Sequence, residues 1–209
     1  MSSAAPLLVP SSALPRGFRF AAVRAGIKPS GNPDFACIVA DVSATAAALF
    51  TSNRVVAAPI TVGRAHLVAT GGQVRAVAVN SGNANCATGA VGLATCEQVC
   101  SALAARLACA PEEIFPSSTG IIGVPLPGEK LVAAIPAVEA SLGATPEDFA
   151  AFAQAILTTD TRAKVAWATL AVDGRVVRLA GACKGAGMIH PQLVPHATML
   201  VYLITDAAV

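Results

Sequence analysis

Charged residues are scarce in this sequence. Of its 209 residues, 12% are Asp, Glu, Lys or Arg, 55% are hydrophobic, and the formal net charge is +2. Disordered chains combine few hydrophobic residues with a high net charge, so this composition excludes a disordered protein. The length suits one large domain or two small ones, and a sizeable buried core is expected.

Aromatic residues are also few. They make up 4% of the chain, with one Trp and one Tyr, and the pI is near 8.3. Nucleic-acid binding usually depends on a basic surface and on aromatic rings that stack with bases. We therefore expect no nucleic-acid partner.

Long apolar runs and targeting features are missing too. Every apolar run is shorter than the roughly 18 residues of a membrane-spanning helix, so no membrane partner is expected. The N-terminus has no Lys or Arg before Arg16, and Pro6 and Pro10 break its apolar run. It therefore lacks the parts of a signal peptide, and residues 1–14 are predicted to be a disordered lead-in.

The six cysteines form no CxxC pair, which favours reduced thiols and a cytoplasmic location.

Several cofactor motifs are absent. The sequence contains no GxxxxGK[ST] phosphate loop, no GxGxxG dinucleotide fingerprint and no HExxH zinc motif. Cys96 and Cys100 form a lone i, i+4 pair, for which core packing is the expected role. We predict neither a metal nor a bound cofactor.

The segments that are present predict a mixture of strands and helices. Asp173-Gly174 is a strong hairpin signal, and Thr145-Pro-Glu-Asp148 is a strong helix start. Pro136 is expected to kink or end the helix around it.

The predicted fold class is α/β, with layered mixed or antiparallel sheets and helices. The predicted elements are antiparallel hairpins from Phe18 to about Ile60 (FRFAAVRAGI, FACIVADV and AAALFT), a strand over Val74–Asn80, helices from about Val91 to Leu107, from Glu129 to Leu142 and from Thr145 to about Leu157, the strands KVAWATLAV and RVVRLAGAC, and a strand from Met199 to Ile204.

Three glycine-containing segments have the composition of a site. Glycine lets backbone amides approach an anion or an oxyanion closely. Taken singly, each segment is more typical of an ordinary turn. The segments are VNSGNANCATG (79–89), SSTGIIG (117–123) and KGAGMIHP (184–191).

Ala197-Thr198 directly precedes an apolar strand. A Thr hydroxyl needs a base beside it to act as a nucleophile, and a free α-amine on the same residue supplies one. Cleavage between Ala197 and Thr198 would create that base. The alternative is that Thr198 merely begins a strand, which its β-branched side chain favours.

Taken together, these segments resemble the ornithine acetyltransferase family of the acetylated arginine pathway. Seven blocks carry the resemblance in the family's order: AGIKPSGNPDFACIVAD, ALFTSNRVVAAPI, VAVNSGNANCATG, SSTGIIG, AILTTDT, KGAGMIHP and ATMLVYLITDAA. The resemblance implies transfer of the acetyl group of N-acetylornithine to L-glutamate through an acetyl-threonine ester. That cycle needs no cofactor. Whether acetyl-CoA serves as a second acetyl donor stays open.

The resemblance also implies roles for particular residues. Thr198 would be the nucleophile, freed by self-cleavage after Ala197. Thr119 and Gly120 would form the oxyanion hole. Thr158, Lys184 and Thr198 would bind substrate. A solvated loop lysine is the alternative for Lys184.

The resemblance further implies a divided enzyme. Family precursors are much longer than this chain, so residues 15–197 would be the α portion and residues 198–209 the start of the β portion. The partner would be a β chain that begins at the residue equivalent to Thr198, in an assembly of two α and two β chains. Two alternatives stay open: a truncated, catalytically incomplete remnant that acts at most as a binding subunit, and an aminopeptidase with the same threonine chemistry.

Overall fold

Two four-stranded sheets and four α-helices make up the part of the chain that the computed structural model describes, residues 8–10, 13–172, 174–185 and 199–208. The strands are β1 Leu8–Pro10, β2 Phe18–Val23, β3 Phe35–Thr45, β4 Gln73–Asn83, β5 Ile114–Ile121, β6 Lys164–Val172, β7 Arg175–Lys184 and β8 Leu200–Thr205. The helices are α1 Ala58–Ala69, α2 Gly89–Leu107, α3 Gly128–Ala140 and α4 Pro146–Ala155.

The first sheet has the strand order β2-β3-β4-β5 and is buried on both faces. The pairs β2–β3 and β3–β4 are antiparallel, and β4–β5 is parallel. Alternate side chains of a strand point to opposite faces. Cys37 and Val39 pack with α1, α2 and α3 on one face, while Ala36 and Ile38 pack with α4 on the other. This two-sided burial explains why β3 begins with an uninterrupted apolar run.

The second sheet has the order β1-β6-β7-β8, and all of its pairs are antiparallel. Its inner face packs against α4 through Trp167, Ala180, Ala182 and Tyr202. On the outer face of β8, Leu203 is 78% exposed. The layers are therefore helices, first sheet, α4 and second sheet. The predicted α/β class with mixed and antiparallel sheets is confirmed.

Two local predictions are confirmed. Strands β6 and β7 pair antiparallel up to Val172 and Arg175, which is the hairpin predicted at this place in the sequence. Thr145 caps α4: its hydroxyl accepts a hydrogen bond from the Asp148 amide at 3.3 Å, and its own amide donates to the Asp148 carboxylate at 2.9 Å. This reciprocal pair is a capping box, which satisfies two amides at the helix start.

Three other expectations were wrong. Residues 46–51 (AAALFT) are not a strand; Phe50 of this segment lies against Arg64 and Phe115 instead. Ala58–Ala69 is the helix α1, with Pro59 in its first turn, and it packs against β5 and α2. SSTGIIG begins within a strand, β5, and is not only a turn.

The proline expected to kink or end a helix does not end it. Pro136 lies inside α3, which continues to Ala140. A proline inside a helix costs about 3 kcal/mol. The apolar face of α3, with Leu131, Ile135 and Val138 fully buried in the core, offsets that cost.

The N-terminal segment differs from its prediction at three residues. Leu8–Pro10 form β1, and Leu8 pairs with Leu170 of β6. Edge pairing satisfies backbone groups that a disordered lead-in would leave to water. The boundaries predicted at residues 15 and 198 stay predictions. In the described ranges, no helix has both the length and the apolar character needed to cross a bilayer.

Candidate active site

Three of the predicted site residues meet at one point. The Lys184 ammonium donates hydrogen bonds to the hydroxyls of Thr119 and Thr158, each at 2.8 Å. Lys184 ends β7, Thr119 lies on β5, and Thr158 follows the end of α4. The site therefore joins both sheets and α4. Lys184 is 3% exposed, so it is not a solvated loop lysine.

Gly120 lies next to Thr119, where β5 approaches β4 closely. Its φ is +140°, a conformation that favours glycine. A Cβ atom there would lie 2.2 Å from the carbonyl carbon of Gly82 and 2.4 Å from the amide nitrogen of Asn83. Backbone atoms cannot move aside as a flexible side chain can. The position therefore requires glycine.

The asparagine-rich end of β4 and the residues just after it hold this close approach together. The side-chain amide of Asn80 donates to the Asn83 carbonyl at 2.8 Å, and the Ser118 hydroxyl of β5 donates to the Asn80 side-chain oxygen at 2.5 Å. The Asn85 side-chain amide donates to the Gly92 carbonyl at 2.8 Å. These buried side-chain amides donate to backbone carbonyls, so the segment fixes the ends of β4 and β5.

Lys28 and Ser81 fix the end of α4. The Lys28 ammonium donates to the carbonyls of Pro33 and Ala155, each at 2.9 Å, and the Ser81 hydroxyl donates to the same Ala155 carbonyl at 2.5 Å. Carbonyls at the end of a helix lack partners within it, and a cation there is favourable. Thr158 is the third residue after Ala155, so these contacts hold the segment that presents it.

Asp160 lies between the same segment and β7. Its Oδ1 accepts hydrogen bonds from the Lys164 ammonium at 2.6 Å and from the Gly185 amide at 2.7 Å. Its side chain is 1% exposed. Sequence reasoning missed Lys28, Ser81 and Asp160 as site residues. The signal was present, because Lys28 and Asp160 lie in the blocks AGIKPSGNPD and TTDT.

Burial governs the electrostatics of the site. Burial lowers the pKa of Lys184; the Asp160 carboxylate opposes this shift, and the Lys164 charge adds to it. The pKa of Lys28 is likewise lowered by burial and by the charge of Lys184, against the attraction of Asp34. Burial acts to raise the pKa of Asp160, but hydrogen bonds from Lys164 and Gly185 and the charges of Lys164 and Lys184 bring it below its usual range.

Ala197 and Thr198 lie outside the described residues, as does most of KGAGMIHP after Gly185. The strand that follows them is described: β8 begins at Leu200, which pairs with Lys184. Among the residues with described positions, no group of three or more His, Cys, Asp or Glu side chains is placed to hold a metal ion.

Residues 19–209 of the chain match the model of the ArgJ family. The chain belongs to the ArgJ family. A curated ArgJ relative from Thermus thermophilus is 52% identical over 197 residues, which are 94% of this chain and 48% of that protein. One from Rhodopirellula baltica is 44% identical over 212 residues, 100% of this chain and 50% of that protein. Both are called arginine biosynthesis bifunctional protein ArgJ. This chain thus spans about half the length of the curated ArgJ relatives.

Solved ArgJ structures share the fold. The ArgJ crystal structure from Bacillus halodurans superposes with a TM-score of 0.84 at 34% identity, over 90% of this chain and 98% of that chain. An ornithine acetyltransferase from Mycobacterium tuberculosis in complex with ornithine gives a TM-score of 0.79 at 36% identity, over 90% of this chain and 99% of that chain. The resemblance to ornithine acetyltransferases, inferred from seven sequence blocks, is confirmed at the level of family and fold.

Proposed function

We propose that this chain is the α portion of an ornithine acetyltransferase. The complete enzyme would transfer the acetyl group of N-acetylornithine to L-glutamate in arginine biosynthesis. The observation that carries the proposal is the junction of Lys184, Thr119 and Thr158 beside Gly120. The names of the curated relatives and of the Mycobacterium tuberculosis structure support the pathway and the substrate class.

Each step of the proposed cycle has a residue for it. The Thr198 hydroxyl attacks the acetyl carbonyl of N-acetylornithine, and the Thr198 α-amine, freed by cleavage after Ala197, takes the hydroxyl proton. Thr119 and Gly120 stabilise the negative oxygen of the tetrahedral intermediate. The C–N bond then breaks, ornithine leaves with that proton, and the acetyl ester remains on Thr198. The glutamate amine then attacks the ester carbonyl, the ester C–O bond breaks, and the proton lost by that amine passes through the Thr198 α-amine to the Thr198 oxygen. This regenerates the Thr198 hydroxyl and releases N-acetylglutamate.

Lys184 and Thr158 bind substrate in this scheme. A lysine ammonium is a compact charge that pairs with the carboxylate of an amino acid. Within the described residues, Lys184 donates two hydrogen bonds, which leaves one of its three N–H groups for a ligand. Its low exposure strengthens that interaction, since electrostatic attraction grows as water is excluded. The cycle uses no cofactor, and acetyl-CoA would enter only as a second acetyl donor.

The partner in this proposal is a β chain that begins at the residue equivalent to Thr198, in an assembly of two α and two β chains in the cytoplasm. Two observations support a partner. The solved ArgJ chains are matched over 98% and 99% of their length, whereas the curated relatives are matched over about half of theirs. In addition, β8 exposes Val201 and Leu203 on its outer face. Exposed apolar patches mark interaction surfaces.

The test is transfer of acetyl from N-acetylornithine to labelled glutamate by the protein purified from its own cells together with any companion chain. We expect Thr198→Ala to lose about 10³-fold or more of the transfer rate, because the nucleophile is gone. Thr205→Ala, at the end of β8, is the control and should retain the rate. Normal turnover by Thr198→Ala would refute the assignment.

The same preparation separates the alternatives. Mass spectrometry should find a companion chain that begins with Thr-Met-Leu-Val-Tyr. An uncut chain without transfer would favour the catalytically incomplete remnant. Hydrolysis of amino-acid amides without acetyl transfer would favour the aminopeptidase.

A further inference from the structure

Asp160 is a buried carboxylate that the proposed cycle does not use. Its Oδ1 accepts two hydrogen bonds, whereas its Oδ2 is buried and accepts none from the described residues. A buried carboxylate costs free energy unless its charge and both oxygens are compensated. Packing alone therefore gives no reason for a carboxylate here. Costly charges of this kind concentrate at functional sites.

The hydrogen bonds of Asp160 fix the point where β7 ends. Oδ1 accepts from the amide of Gly185, the residue directly after Lys184. It also accepts from Lys164, whose partner across the sheet is Cys183, the residue directly before Lys184. Asp160 therefore holds the backbone on one side of Lys184 directly and on the other side through Lys164.

The positive charges near Lys184 make the negative charge of Asp160 important for the protonation of the Lys184 amine. In the described part of the chain, the charged groups that act on Lys184 are Asp160, Lys164 and Lys28. Two of the three are cations, and burial already lowers the pKa of Lys184. Of these three described groups, Asp160 alone opposes these effects on Lys184. Without the Asp160 carboxylate, the amines of Lys28, Lys164 and Lys184 would lie near one another without this compensating negative charge.

We propose that Asp160 is a positioning residue for Lys184: its carboxylate clamps the Gly185 amide at the end of β7 and keeps the Lys184 amine in its charged, carboxylate-binding form. The inference deepens the proposed function and rests on it, because Lys184 needs its charge only if it binds an anionic substrate. Asp160 itself touches no reacting atom in this scheme.

The direct test is the titration of Lys184 by NMR in the 209-residue chain labelled with 13C-lysine. The chain has four lysines, Lys28, Lys130, Lys164 and Lys184, so each signal can be assigned by substitution. We expect Asp160→Asn to move the pKa of Lys184 further below its wild-type value, because the nearby anion is lost. The signal of Lys130, which donates to the Gly26 carbonyl away from Asp160, should not move.

Asp206→Asn is the matched control. The Asp206 carboxylate, directly after β8, accepts from the Arg178 amide of β7 at 2.7 Å and pairs with the Arg178 side chain, at the other end of β7 from Lys184. The Asp206→Asn substitution should leave the pKa of Lys184 unchanged. Lys164→Gln tests the opposite sign: loss of a competing cation should raise the pKa of Lys184. This variant also serves if Asp160→Asn does not fold, because the Lys164 side chain is 40% exposed.

The second readout is the pH profile of acetyl transfer by the complete enzyme. In Asp160→Asn we expect the alkaline loss of kcat/KM to begin at lower pH. At neutral pH, KM should rise about 10-fold or more, since a charged contact to the substrate carboxylate weakens, while kcat changes less. Asp160→Glu should restore part of the KM, and a merely structural role would move neither the pH profile nor the KM-to-kcat split.

The outcomes separate the two proposals. An unchanged Lys184 titration in both Asp160→Asn and Lys164→Gln would overturn the role of Asp160, whatever the enzyme does. Shifted titrations with no acetyl transfer by the wild-type enzyme would support the coupling of Asp160 to Lys184 and refute the proposed function.

Discussion

The first sheet is covered on both faces, whereas the second sheet is covered on one. In the first, Phe35 to Ala40 of β3 are all buried. In the second, β8 has a similarly apolar sequence, yet Val201 is 49% exposed and Leu203 is 78% exposed. An apolar run in the sequence therefore does not say whether one face or two are covered. The stabilising core lies around the first sheet, and the candidate site lies where the covered face of the second sheet meets it.

The contrast between the two sheets predicts that truncating a leucine beside each has very different effects on stability. Leu103 of α2 is 1% exposed in the core beside the first sheet, and Leu203 lies on the open face of the second. We expect Leu103→Ala to lower the free energy of unfolding by about 2–5 kcal/mol through cavity formation. Leu203→Ala should change it by about 0.5 kcal/mol or less. Urea denaturation measures both, and equal losses would contradict the contrast between the sheets.

The close approach of β4 and β5 provides the next test. Gly120→Ala should cost about 2–4 kcal/mol of unfolding free energy, because the new Cβ meets backbone atoms and the conformation is strained. Gly123→Ala is the control: its φ is +80° but nothing lies within 4 Å of the added carbon. It should cost about 1 kcal/mol. If the two variants were equally stable, the β4–β5 contact would not be the constraint inferred here.

The helix between the sheets should show a smaller effect. Thr145→Ala removes the cap of α4 and should cost about 1 kcal/mol of unfolding free energy. Thr145→Ser keeps the hydroxyl and should be close to wild type. The measurement is thermal or urea unfolding followed by circular dichroism. A full loss in the serine variant would show that the methyl group, not the cap, matters.

The buried charge of Lys184 predicts a stability difference between wild type and Lys184→Met that depends on pH. Its pKa is lowered in the folded state by burial, so the unfolded chain binds more protons between that pKa and the ordinary value of 10.5. Stability therefore rises with pH through this window as the buried charge is lost. Lys184→Met has no such charge, so its stability relative to wild type should fall as pH rises from 7 towards 10. A constant difference in unfolding free energy would contradict burial of the charged amine.

Short-range signals predicted much of the fold. The Thr145 cap and the hairpin signal Asp173-Gly174 depend on neighbouring residues, and both the cap and the β6–β7 hairpin were predicted correctly. Helix α1 was missed because it has no side-chain cap and its sequence, with Ile60, Thr61 and Val62, is rich in β-branched residues. Packing against β5 and α2 determines its conformation, and this information is not local.

The candidate site was predicted only in part. Blocks of the sequence named Thr119, Gly120, Thr158 and Lys184, and the structure brings the side chains of three of them together. What the sequence could not show is that Lys184 is buried, since its segment has the polar, glycine-rich composition of a loop. Its partners come from β5 and from the end of α4, far away in the chain. Their functional roles stay predictions.

The pairing of β1 with β6 also bears on the order in which the chain folds. Strands β2 to β5 and helices α1 to α3 all precede residue 141, so the first sheet can form while the rest is still being synthesised. The second sheet cannot, because Leu8 must wait for Leu170 and β7 must wait for β8. Such long-range pairing is slow. The junction that holds Lys184 should therefore be among the last parts of the molecule to assemble, on a first sheet that is already in place.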